Sequence, residues 1–329
     1  MTQLVIAETT NVGRINHVYD GTGWVCKGGL IEEQRTNTCL YSSDIANAYW
    51  SGTSTKTANF GISPDGTQNA ARVTGGGYFQ SGGISKTGTQ TFSFWAKTIS
   101  GSSEVINAYL DGGFTTPALT ITGTWTRFSV TQTFGTTNTG TVGVYPLSAN
   151  ILFYGPQLEA GSFPTSYIPT TSASATRSAD VMQITGSDFS SFWNISEGCF
   201  VVDADTPAFS TRPICSADDN TANESIILLT DSTDPKFSVT DGGVSQAAID
   251  AGTVTANTMF RLAACYKAND FAATLSGNAA VTDSSGTLPT VDRLRIGSSQ
   301  AGNYQCGHIA RLRYWNTRLD NATLRALST

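Results

Sequence analysis

Residues 92–97 read Phe-Ser-Phe-Trp-Ala-Lys and alternate in character with a period of two. Successive side chains of a β-strand point to opposite faces, so the two phenylalanines and Ala96 share one face while Trp95 and Lys97 share the other. The stretch therefore predicts a strand with one side in a hydrophobic core and an indole and an ammonium group on the opposite side.

The same two-residue period continues outward through most of the chain, in short runs separated by Gly, Asn, Asp and Ser. Such runs predict strands at 90–97, 104–110, 125–131, 142–145, 150–157, 199–204, 225–230, 260–266, 272–275, 293–296 and 309–315. Asp-Gly-Gly at 111–113 and 241–243 has the composition of hairpin turns. One short helix is expected at 321–327, capped by Asp320, with Leu324 and Leu327 facing inward. The pattern predicts an all-β protein of two tandem β-sandwiches of the jelly-roll type.

The length of 329 residues corresponds to about two domains, at ~100–200 residues per domain. The composition shifts near 166–180, where residues 167–174 read as an extended linker rich in Pro, Ser and Thr. We therefore expect an N-terminal arm at 1–28, a first sandwich at 29–180 and a second at 181–329.

Several partners are disfavoured by charge and hydropathy. A net charge of −6 and a pI near 4.9 argue against nucleic-acid binding, which requires a basic face. No apolar run reaches ~18 residues, so no membrane span is predicted. Residues 1–10 lack the basic and apolar regions of a secretory signal, so synthesis and folding in a cytoplasm are expected.

No catalytic motif is visible, and we expect neither enzymatic activity nor a cofactor. Glu32 and Glu33 are adjacent and would point to opposite faces of a strand, so they do not form a carboxylate pair. Only Glu197 and Glu224 are glutamates in the second half, and no Gly-x-Ser-x-Gly is present. Calcium is the one alternative, because Asp218-Asp219-Asn220 with Asn223 offers oxygen ligands. The loop lacks a full ligand spacing, so a solvated acidic loop is preferred.

Six cysteines are spread along the chain without a Cys-x-x-Cys, at 26, 39, 199, 215, 265 and 306. The spacing fits neither a zinc site nor a dense disulfide framework. Cys199 and Cys265 lie in apolar runs and are expected to be buried thiols. Because the protein is expected to fold in a reducing cytoplasm, six free thiols and no disulfide between the domains are predicted.

Strand alternation also predicts a binding face. If the aliphatic side of each strand faces the core, Trp95, Tyr109, Tyr145 and Tyr154 lie on the opposite side, with Lys97 and Asn107 beside them. Aromatic faces stack on the C–H groups of a sugar ring while nearby polar groups hydrogen-bond its hydroxyls. These six residues are the candidate glycan site. The alternative is that loops, the second domain or another subunit cover the aromatic rings.

Five ordered motifs in the first half resemble the carbohydrate-binding-like jelly-roll domains of tailed-phage structural proteins. They are GLIEEQRTN at 29–37 followed by LYSSDI at 40–45, FSFWAK at 92–97, TWTRF at 124–128, GPQLEAG at 155–161 followed by TSYIPT at 165–170, and TRSAD at 176–180. The resemblance covers about residues 18–180.

The second half, at about 181–329, resembles a laminin-G/concanavalin-A-like sandwich of the kind fused behind such domains in phage proteins. The stretches that carry this resemblance are FRLAA at 260–264, LPTVDRLRIG at 288–297 and GHIARLRYW at 307–315. Both domain types imply glycan binding by analogy, although a fold alone does not fix a function.

Together these resemblances imply a protein of the phage virion surface, made in the host cytoplasm, that serves as a capsid decoration or a short adhesion module. Its expected partners are major capsid or tail proteins and host or environmental glycans, and a homotrimer is expected by analogy. Residues 1–27, with Val5 and Ile6, would anchor or exchange a strand. Two alternatives remain open: a structural cement that binds no sugar, and a tail-fibre receptor-binding protein or depolymerase.

Overall fold

The computed structural model describes residues 14–19, 24–110, 118–145, 150–207 and 210–329. These residues form antiparallel sheets with two short helices, which confirms the predicted all-β class and the two jelly-roll sandwiches. Residues 5, 6 and 111–113, for which a strand and a turn were predicted, lie outside the described ranges. No helix in the described part is long and apolar enough to cross a membrane.

Packing divides the chain into two compact units. Among the described residues, the first contains those of Gln34–Ser178 together with 17–19, 24 and 25, and the second contains those of Ala179–Thr329 together with Cys26–Glu33 and 14–16. The first two strands of the sequence are β1 (Ile15–Tyr19) and β2 (Trp24–Ile31). Both join the seven-stranded sheet described below.

The first unit is a sandwich of two five-stranded sheets with one additional two-stranded sheet. Its strands are β3 (Arg35–Asn37), β4 (Ser51–Gly52), β5 (Thr55–Gly61), β6 (Ala70–Thr74), β7 (Phe79–Gln80), β8 (Ile84–Thr98), β9 (Glu104–Tyr109), β10 (Leu119–Ile121), β11 (Thr126–Gly140), β12 (Gly143–Tyr145), β13 (Ile151–Ala160) and β14 (Ala175–Arg177). One sheet has the order β11-β8-β13-β6-β5, the other β10-β9-β12-β7-β4, and β14 pairs with β3. Phe94, Phe153, Ile106 and Val144 meet in the core between the two large sheets.

The second unit places a seven-stranded sheet against a six-stranded one. Its further elements are β15 (Met182–Thr185), α1 (Gly186–Ser190), β16 (Glu197–Ala204), β17 (Arg212–Asp218), β18 (Ser225–Asp231), β19 (Asp234–Asp241), β20 (Val244–Asp250), β21 (Phe260–Lys267), β22 (Phe271–Leu275), β23 (Val281–Asp283), β24 (Arg293–Ile296), β25 (Gly307–Trp315) and α2 (Asn321–Leu327). The orders are β1-β2-β25-β16-β21-β22-β23 and β15-β24-β17-β18-β19-β20. Phe200, Phe237, Leu228 and Leu262 are buried between these two sheets.

The C-terminal helix forms as the sequence predicts. The carboxylate of Asp320 accepts a hydrogen bond of 2.9 Å from the backbone N–H of Thr323, which satisfies a donor at the start of α2. Leu324 is fully buried, and Leu327 packs beside it against the outer side of the seven-stranded sheet.

Residues 29–33, expected in the first sandwich, belong to the second unit. Gly29, Leu30 and Ile31 pair with β25, so this part of the expected N-terminal motif extends the seven-stranded sheet. Arg14 is also buried there, where its guanidinium binds the carboxylates of Glu32, at 2.7 Å, and Asp180. The described residues of the expected N-terminal arm therefore belong to the folded units, 14–16 and 26–28 to the second and 17–19, 24 and 25 to the first.

The prediction of an extended linker at 167–174 is wrong for the first half of that segment. Tyr167, Ile168 and Thr170 are almost completely buried in the first unit. The Nδ2 of Asn37 donates to the carbonyl of Ile168 at 2.8 Å, and the backbone N–H of Ile168 donates to the Oε1 of Gln157 at 2.7 Å. These buried amide contacts fix the segment after β13 to the sheet, so the motifs at 155–170 build the fold.

The prediction of six free thiols is wrong as well. Cys199 on β16 lies directly opposite Cys265 on β21, and the two form a disulfide within the second unit. Cysteines at facing positions of antiparallel strands bring their sulfur atoms within bonding reach. This pairing depends on the register of the two strands, so the apolar segments around Cys199 and Cys265 do not show it when each is considered separately. Cys26, Cys39, Cys215 and Cys306 are free thiols.

Candidate functional site

The two faces of strand β8 are arranged as the sequence predicts. Phe92, Phe94 and Ala96 point into the core of the first unit, and Trp95 joins a separate cluster on the outer face of the same sheet. Trp95 lies opposite Tyr154 on β13 and Arg127 on β11. The alternation therefore assigned the strand faces correctly.

The expectation that Trp95 and Tyr154 form an open platform is wrong. Only 2% of Trp95 and 4% of Tyr154 is exposed, because the ring of Tyr167 packs against both, at centroid distances of 5.8 and 5.4 Å. The guanidinium of Arg127 covers Trp95 at 4.3 Å from the ring centroid. These two aromatic side chains form a second, smaller core under the segment that follows β13.

Tyr109 is also buried, with 3% of its surface exposed. It faces Gly143 on β12, and its hydroxyl donates to the Oε1 of Gln80 at 2.8 Å. Burial raises the pKa of Tyr109 to about 12, so the hydroxyl remains a donor at neutral pH. Tyr109 is therefore a structural residue of the second sheet and not an exposed ring.

Asn107 and Tyr145 are half-buried and lie opposite each other on β9 and β12. They belong to one sheet, together with Tyr109, whereas Trp95, Lys97 and Tyr154 belong to the other. The outer faces of two packed sheets point in opposite directions, so a single sugar cannot contact both groups. The six candidates thus separate into two sets of three.

Lys97 is the candidate whose surroundings suit a ligand. It is half-buried on the outer face of the first sheet, opposite Leu152, and Leu152 in turn lies opposite Arg72 on β6. Facing positions on neighbouring antiparallel strands are about 5 Å apart, so the backbones of Lys97 and Arg72 are separated by about 10 Å. We call these three residues the cationic row.

Each cation of the cationic row rests on an aromatic ring. The Nζ of Lys97 lies 5.3 Å from the ring centroid of Trp125, and the guanidinium carbon of Arg72 lies 5.0 Å from that of Phe60. The Nη2 of Arg72 donates to the Oδ1 of Asn150 at 3.2 Å. Within the described ranges neither cation has a carboxylate within ion-pair distance.

The end of β5, which carries Phe60, and the loop that follows it are fixed to the sheet. The Nε1 of Trp125 donates to the carbonyl of Ile62 at 3.1 Å. Gly61 approaches Leu152 so closely that a Cβ at this position would lie 2.6 Å from a Leu152 methyl group. A side chain at position 61 would therefore displace the Leu152 side chain, and the close approach places Phe60, which is 44% exposed, at the edge of the cationic row.

Asp65 completes the support of this loop. Partial burial opposes its ionisation, but hydrogen bonds from Ser63, Thr67 and Asn69 outweigh that effect and hold the pKa of Asp65 well below its ordinary value. Its carboxylate also accepts from the hydroxyl of Tyr154, whose pKa is raised by burial and by the neighbouring Tyr167. These donors make Asp65 a structural anchor of the loop, and among the described contacts it forms no ion pair with Lys97 or Arg72.

Sequence reasoning missed Arg72, Phe60 and Asn150. The alternation of Ala71, Arg72 and Val73 in β6 was available as a signal, since it puts a lone arginine on the non-core face. Its proximity to Lys97 was not available, because β13 lies between the two strands in space and far from both in sequence.

The second unit contains one carboxylate–imidazole pair. The Nδ1 of His308 lies 2.9 Å from the Oδ1 of Asp205, and its Nε2 lies 2.7 Å from the Nδ2 of Asn16. Both ring nitrogens are therefore engaged by protein groups.

The loop considered for calcium is arranged around an arginine. Asp218 is fully buried and accepts hydrogen bonds from the Nε of Arg295, at 3.1 Å, and from the hydroxyl of Ser216, at 2.9 Å. Asp219 instead accepts from the backbone and hydroxyl of Thr221. In the part of the chain that the structure describes, no cluster of three or more His, Cys, Asp or Glu has a metal-binding arrangement.

No protein-family model and no curated protein match the chain. Among solved structures, the chain is similar to the CBM40 domain of the Ruminococcus gnavus IT-sialidase bound to α2,3-sialyllactose, at 16% identity and a TM-score of 0.36, covering 41% of this chain and 84% of that one. A SAP-like pentraxin from Limulus polyphemus is similar at 12% identity and a TM-score of 0.35, with coverages of 41% and 70%. The Trypanosoma rangeli sialidase is similar at 15% identity and a TM-score of 0.33, with coverages of 40% and 22%.

Proposed function

We propose that the protein is a non-catalytic component of a virion surface that binds acidic glycans through the cationic row of its first unit. The observation that carries this proposal is the placement of Lys97 and Arg72 on one sheet face, each stacked on an aromatic ring and without a carboxylate partner among the described residues.

The chemistry of the cationic row favours a carboxylate-bearing sugar. The planar guanidinium of Arg72 can donate two hydrogen bonds to one carboxylate, whereas the ammonium of Lys97 acts as a compact point charge. The exposed ring of Phe60 offers an apolar surface to sugar C–H groups, and Asn150 adds an amide for hydroxyls. A neutral polymer would leave both cations without a counter-charge.

The virion role is supported by the resemblance of the ordered motifs in both halves to phage structural proteins. On this proposal, capsid or tail proteins are the assembly partners and a homotrimer is the expected oligomer. Cryo-electron microscopy of the purified particle tests this part of the proposal, since density for two consecutive β-sandwiches on the head or on the tail would locate the protein. Absence of the chain from purified particles would reject it.

Glycan binding is tested by calorimetric titration of the full chain with polygalacturonate and polysialic acid, with dextran as the neutral control. Lys97→Gln and Arg72→Gln should each weaken binding of an acidic polymer several-fold, and the double variant should abolish it. Lys56→Gln is the matched control. Thr57 on β5 is the register partner of Arg72 and shares its side of the sheet. Lys56 is the next residue along the strand, so its side chain projects from the opposite side of the sheet. This substitution removes the same charge and should retain binding.

Screening by salt provides a second readout, because binding between exposed charges weakens as ionic strength rises. Failure of the wild-type protein to bind either acidic polymer would reject this function and favour the structural cement. Release of new reducing ends from a bound polymer would instead favour the depolymerase.

A further inference from the structure

The longest edge strand in the described part of the chain is β11, which pairs only with β8. Its register with β8 is regular from Thr126 to Phe134. That run contains no proline and no lysine, and its single charged residue, Arg127, lies near its start and stacks on Trp95. Proteins commonly use proline, lysine or an irregular register to prevent an edge strand from pairing with another chain. This part of β11 lacks that protection.

The other edge strands are short or irregular. β5, at the opposite edge of the same sheet, contains Lys56 and has an irregular register between Thr57 and Gly61. The register of β20 with β19 is irregular next to Val239. The strands β1, β3, β4, β10, β14, β15 and β23 contain two to five residues each. Among the described residues, β11 is thus the long edge on which another strand can pair without interruption.

The backbone contacts of β8 show which groups of β11 are directed outward. The carbonyl of Thr89 accepts from the N–H of Gly161 at 2.8 Å, and the N–H of Ile99 donates to the carbonyl of Asn150 at 3.0 Å. Gly161 and Asn150 adjoin the two ends of β13. The odd-numbered residues of β8 therefore direct their backbone groups to β13, and the even-numbered ones direct theirs to β11.

The open edge of β11 consequently presents a regular set of donors and acceptors. Residues that face each other on antiparallel strands direct their backbone groups either towards or away from one another. The β11 residues that face the odd-numbered residues of β8 direct theirs to the open edge, and they include Ser129, Thr131 and Thr133. All three are exposed, and none of them makes a backbone hydrogen bond among the described residues.

The side chains along this edge are uncharged and ordered. The chain has no charged residue from Phe128 to Gly140, although its net charge is −6. The hydroxyls of Thr131 and Thr133 lie 2.8 and 2.9 Å from those of Thr91 and Thr89 on β8. Side chains that are already ordered lose little conformational entropy on association. The edge thus does not repel a copy of itself, and it offers no charge that would select an oppositely charged protein.

We propose that β11 pairs with the β11 of a second copy of this chain, antiparallel and about a twofold axis at Thr131. Thr131 then lies opposite its own counterpart, and Ser129 lies opposite Thr133 of the second copy. Each of these facing pairs exchanges two backbone hydrogen bonds, as in an ordinary antiparallel ladder. The two five-stranded sheets join into one continuous sheet, and the same surface is used by both copies, as twofold symmetry requires.

This pairing places two cationic rows on one surface. A twofold axis perpendicular to the sheet keeps the outer faces of both copies on the same side. Thr126, the partner of Ala96, is five residues from Thr131, so the two rows lie about 40 Å apart. A polymer that reaches both rows binds more tightly than one that reaches a single row. This consequence rests on the proposed function, whereas the pairing itself does not.

The pairing is tested by sedimentation equilibrium of the full chain over a range of concentrations, in which the wild type should form a dimer. Thr131→Pro removes the central N–H donor of the open edge, which makes no bond in the single copy, and should raise the dissociation constant more than about tenfold. Thr131→Ala is the matched control, because it also loses the hydroxyl contact with Thr91 but keeps the N–H, and it should retain the dimer.

A second set of variants tests the register. Thr131→Lys and Thr131→Glu each place like charges opposite one another at the twofold axis, and each should weaken the dimer. An equimolar mixture of the two should form heterodimers, as detected by native mass spectrometry. Thr55→Lys is the control for added charge, because Thr55 is an exposed threonine on the opposite edge of the same sheet, and this variant should dimerise like the wild type.

Three results would overturn the proposal: a wild type that stays monomeric, equal association of Thr131→Pro and Thr131→Ala, or a mixture of the Lys and Glu variants that forms no heterodimer. An oligomer that every Thr131 variant retains, such as a trimer through another surface, would also overturn it. Thermal unfolding shows whether each variant is folded, and the Lys and Glu variants decide the outcome if Thr131→Pro is not.

Polymer binding distinguishes this inference from the acidic-glycan proposal. Compared with Thr131→Ala, Thr131→Pro should bind polygalacturonate more than about tenfold more weakly. Binding of trigalacturonate, which is too short to reach two rows, should be the same in both variants. A dimer that binds no acidic sugar would reject the proposed function and leave the pairing standing. A wild type that binds both ligands as a monomer would reject the pairing and leave the proposed function standing.

Discussion

The hydroxyl of Tyr154 donates a 2.8 Å hydrogen bond to the Oδ2 of Asp65, and this contact joins the buried aromatic cluster of the first unit to the loop beside its cationic row. The Oδ1 of Asp65 accepts from the hydroxyl of Ser63 and from the backbone and hydroxyl of Thr67. One carboxylate thus sets the conformation of residues 63–69 and fixes them over the sheet.

This arrangement predicts that Asp65 stabilises the protein in a pH-dependent manner. Its pKa is lower in the folded chain than in the unfolded chain. Its contribution to the free energy of unfolding should therefore be fully present above the unfolded value of about 3.9 and should be lost as the pH falls from there towards the folded value. Asp65→Asn should remove this dependence, as measured by urea unfolding of both proteins between about pH 6 and pH 2. If the difference in free energy of unfolding between the wild type and Asp65→Asn stayed constant from about pH 6 to pH 2, Asp65 would not be the source of the pH dependence.

Burial of Trp95 predicts a loss of stability upon truncation. Trp95→Ala should lower the free energy of unfolding by about 3–5 kcal/mol, the usual cost of removing a large buried aromatic side chain. Trp95→Phe should cost less, because the indole N–H of Trp95 has no hydrogen-bond partner among the described residues and its removal breaks no bond. Chemical denaturation of the two variants checks this. If the Trp95→Ala protein were as stable as the wild type, Trp95 would not be a core residue, and the prediction of an exposed aromatic binding face would be supported instead.

The contrast between Trp95 and Lys97 shows how far the sequence alone reaches. Local alternation correctly placed both side chains on the non-core face of β8, because that relationship depends only on the two-residue period of a strand. It did not reveal that Tyr167, 72 positions later, covers Trp95 and leaves Lys97 half-exposed. Coverage depends on where a distant segment returns to the sheet.

Strand order is the second property that local patterns do not contain. Arg72 and Lys97 are close because β13 inserts between β6 and β8, and Cys199 meets Cys265 because β16 and β21 pair in one particular register. The period of hydrophobicity was sufficient for the fold class and for eleven of the 25 strands in the described residues, whereas the cationic row and the disulfide both depend on long-range pairing.

The disulfide predicts four reactive thiols in the unfolded, unreduced chain. Alkylation in denaturant should label Cys26, Cys39, Cys215 and Cys306, and reduction should expose two more. Loss of the cross-link in Cys199→Ala/Cys265→Ala should lower the free energy of unfolding by about 2–4 kcal/mol, since the bond closes a long loop of the unfolded chain. Peptide mass mapping provides the readout, and six labelled thiols before reduction would contradict the pairing.

Helix α2 is expected to shield this disulfide from reductants. Leu324 is fully buried and packs in the same cluster as Cys199 and Cys265, and the backbone N–H of Leu319 lies 3.2 Å from the Sγ of Cys199. Leu324→Ala removes the side chain that seats the helix and should cost about 2–5 kcal/mol, partly by loosening α2 from the sheet. Dithiothreitol should then reduce the disulfide faster than in the wild-type protein under native conditions, as followed by mass spectrometry.

Ala326→Ser is the control, because Ala326 is an exposed position of the same helix and its substitution should leave the rate unchanged. Equal reduction rates in Leu324→Ala and the wild type would show that access to the disulfide does not depend on the helix and instead requires opening of the sheet.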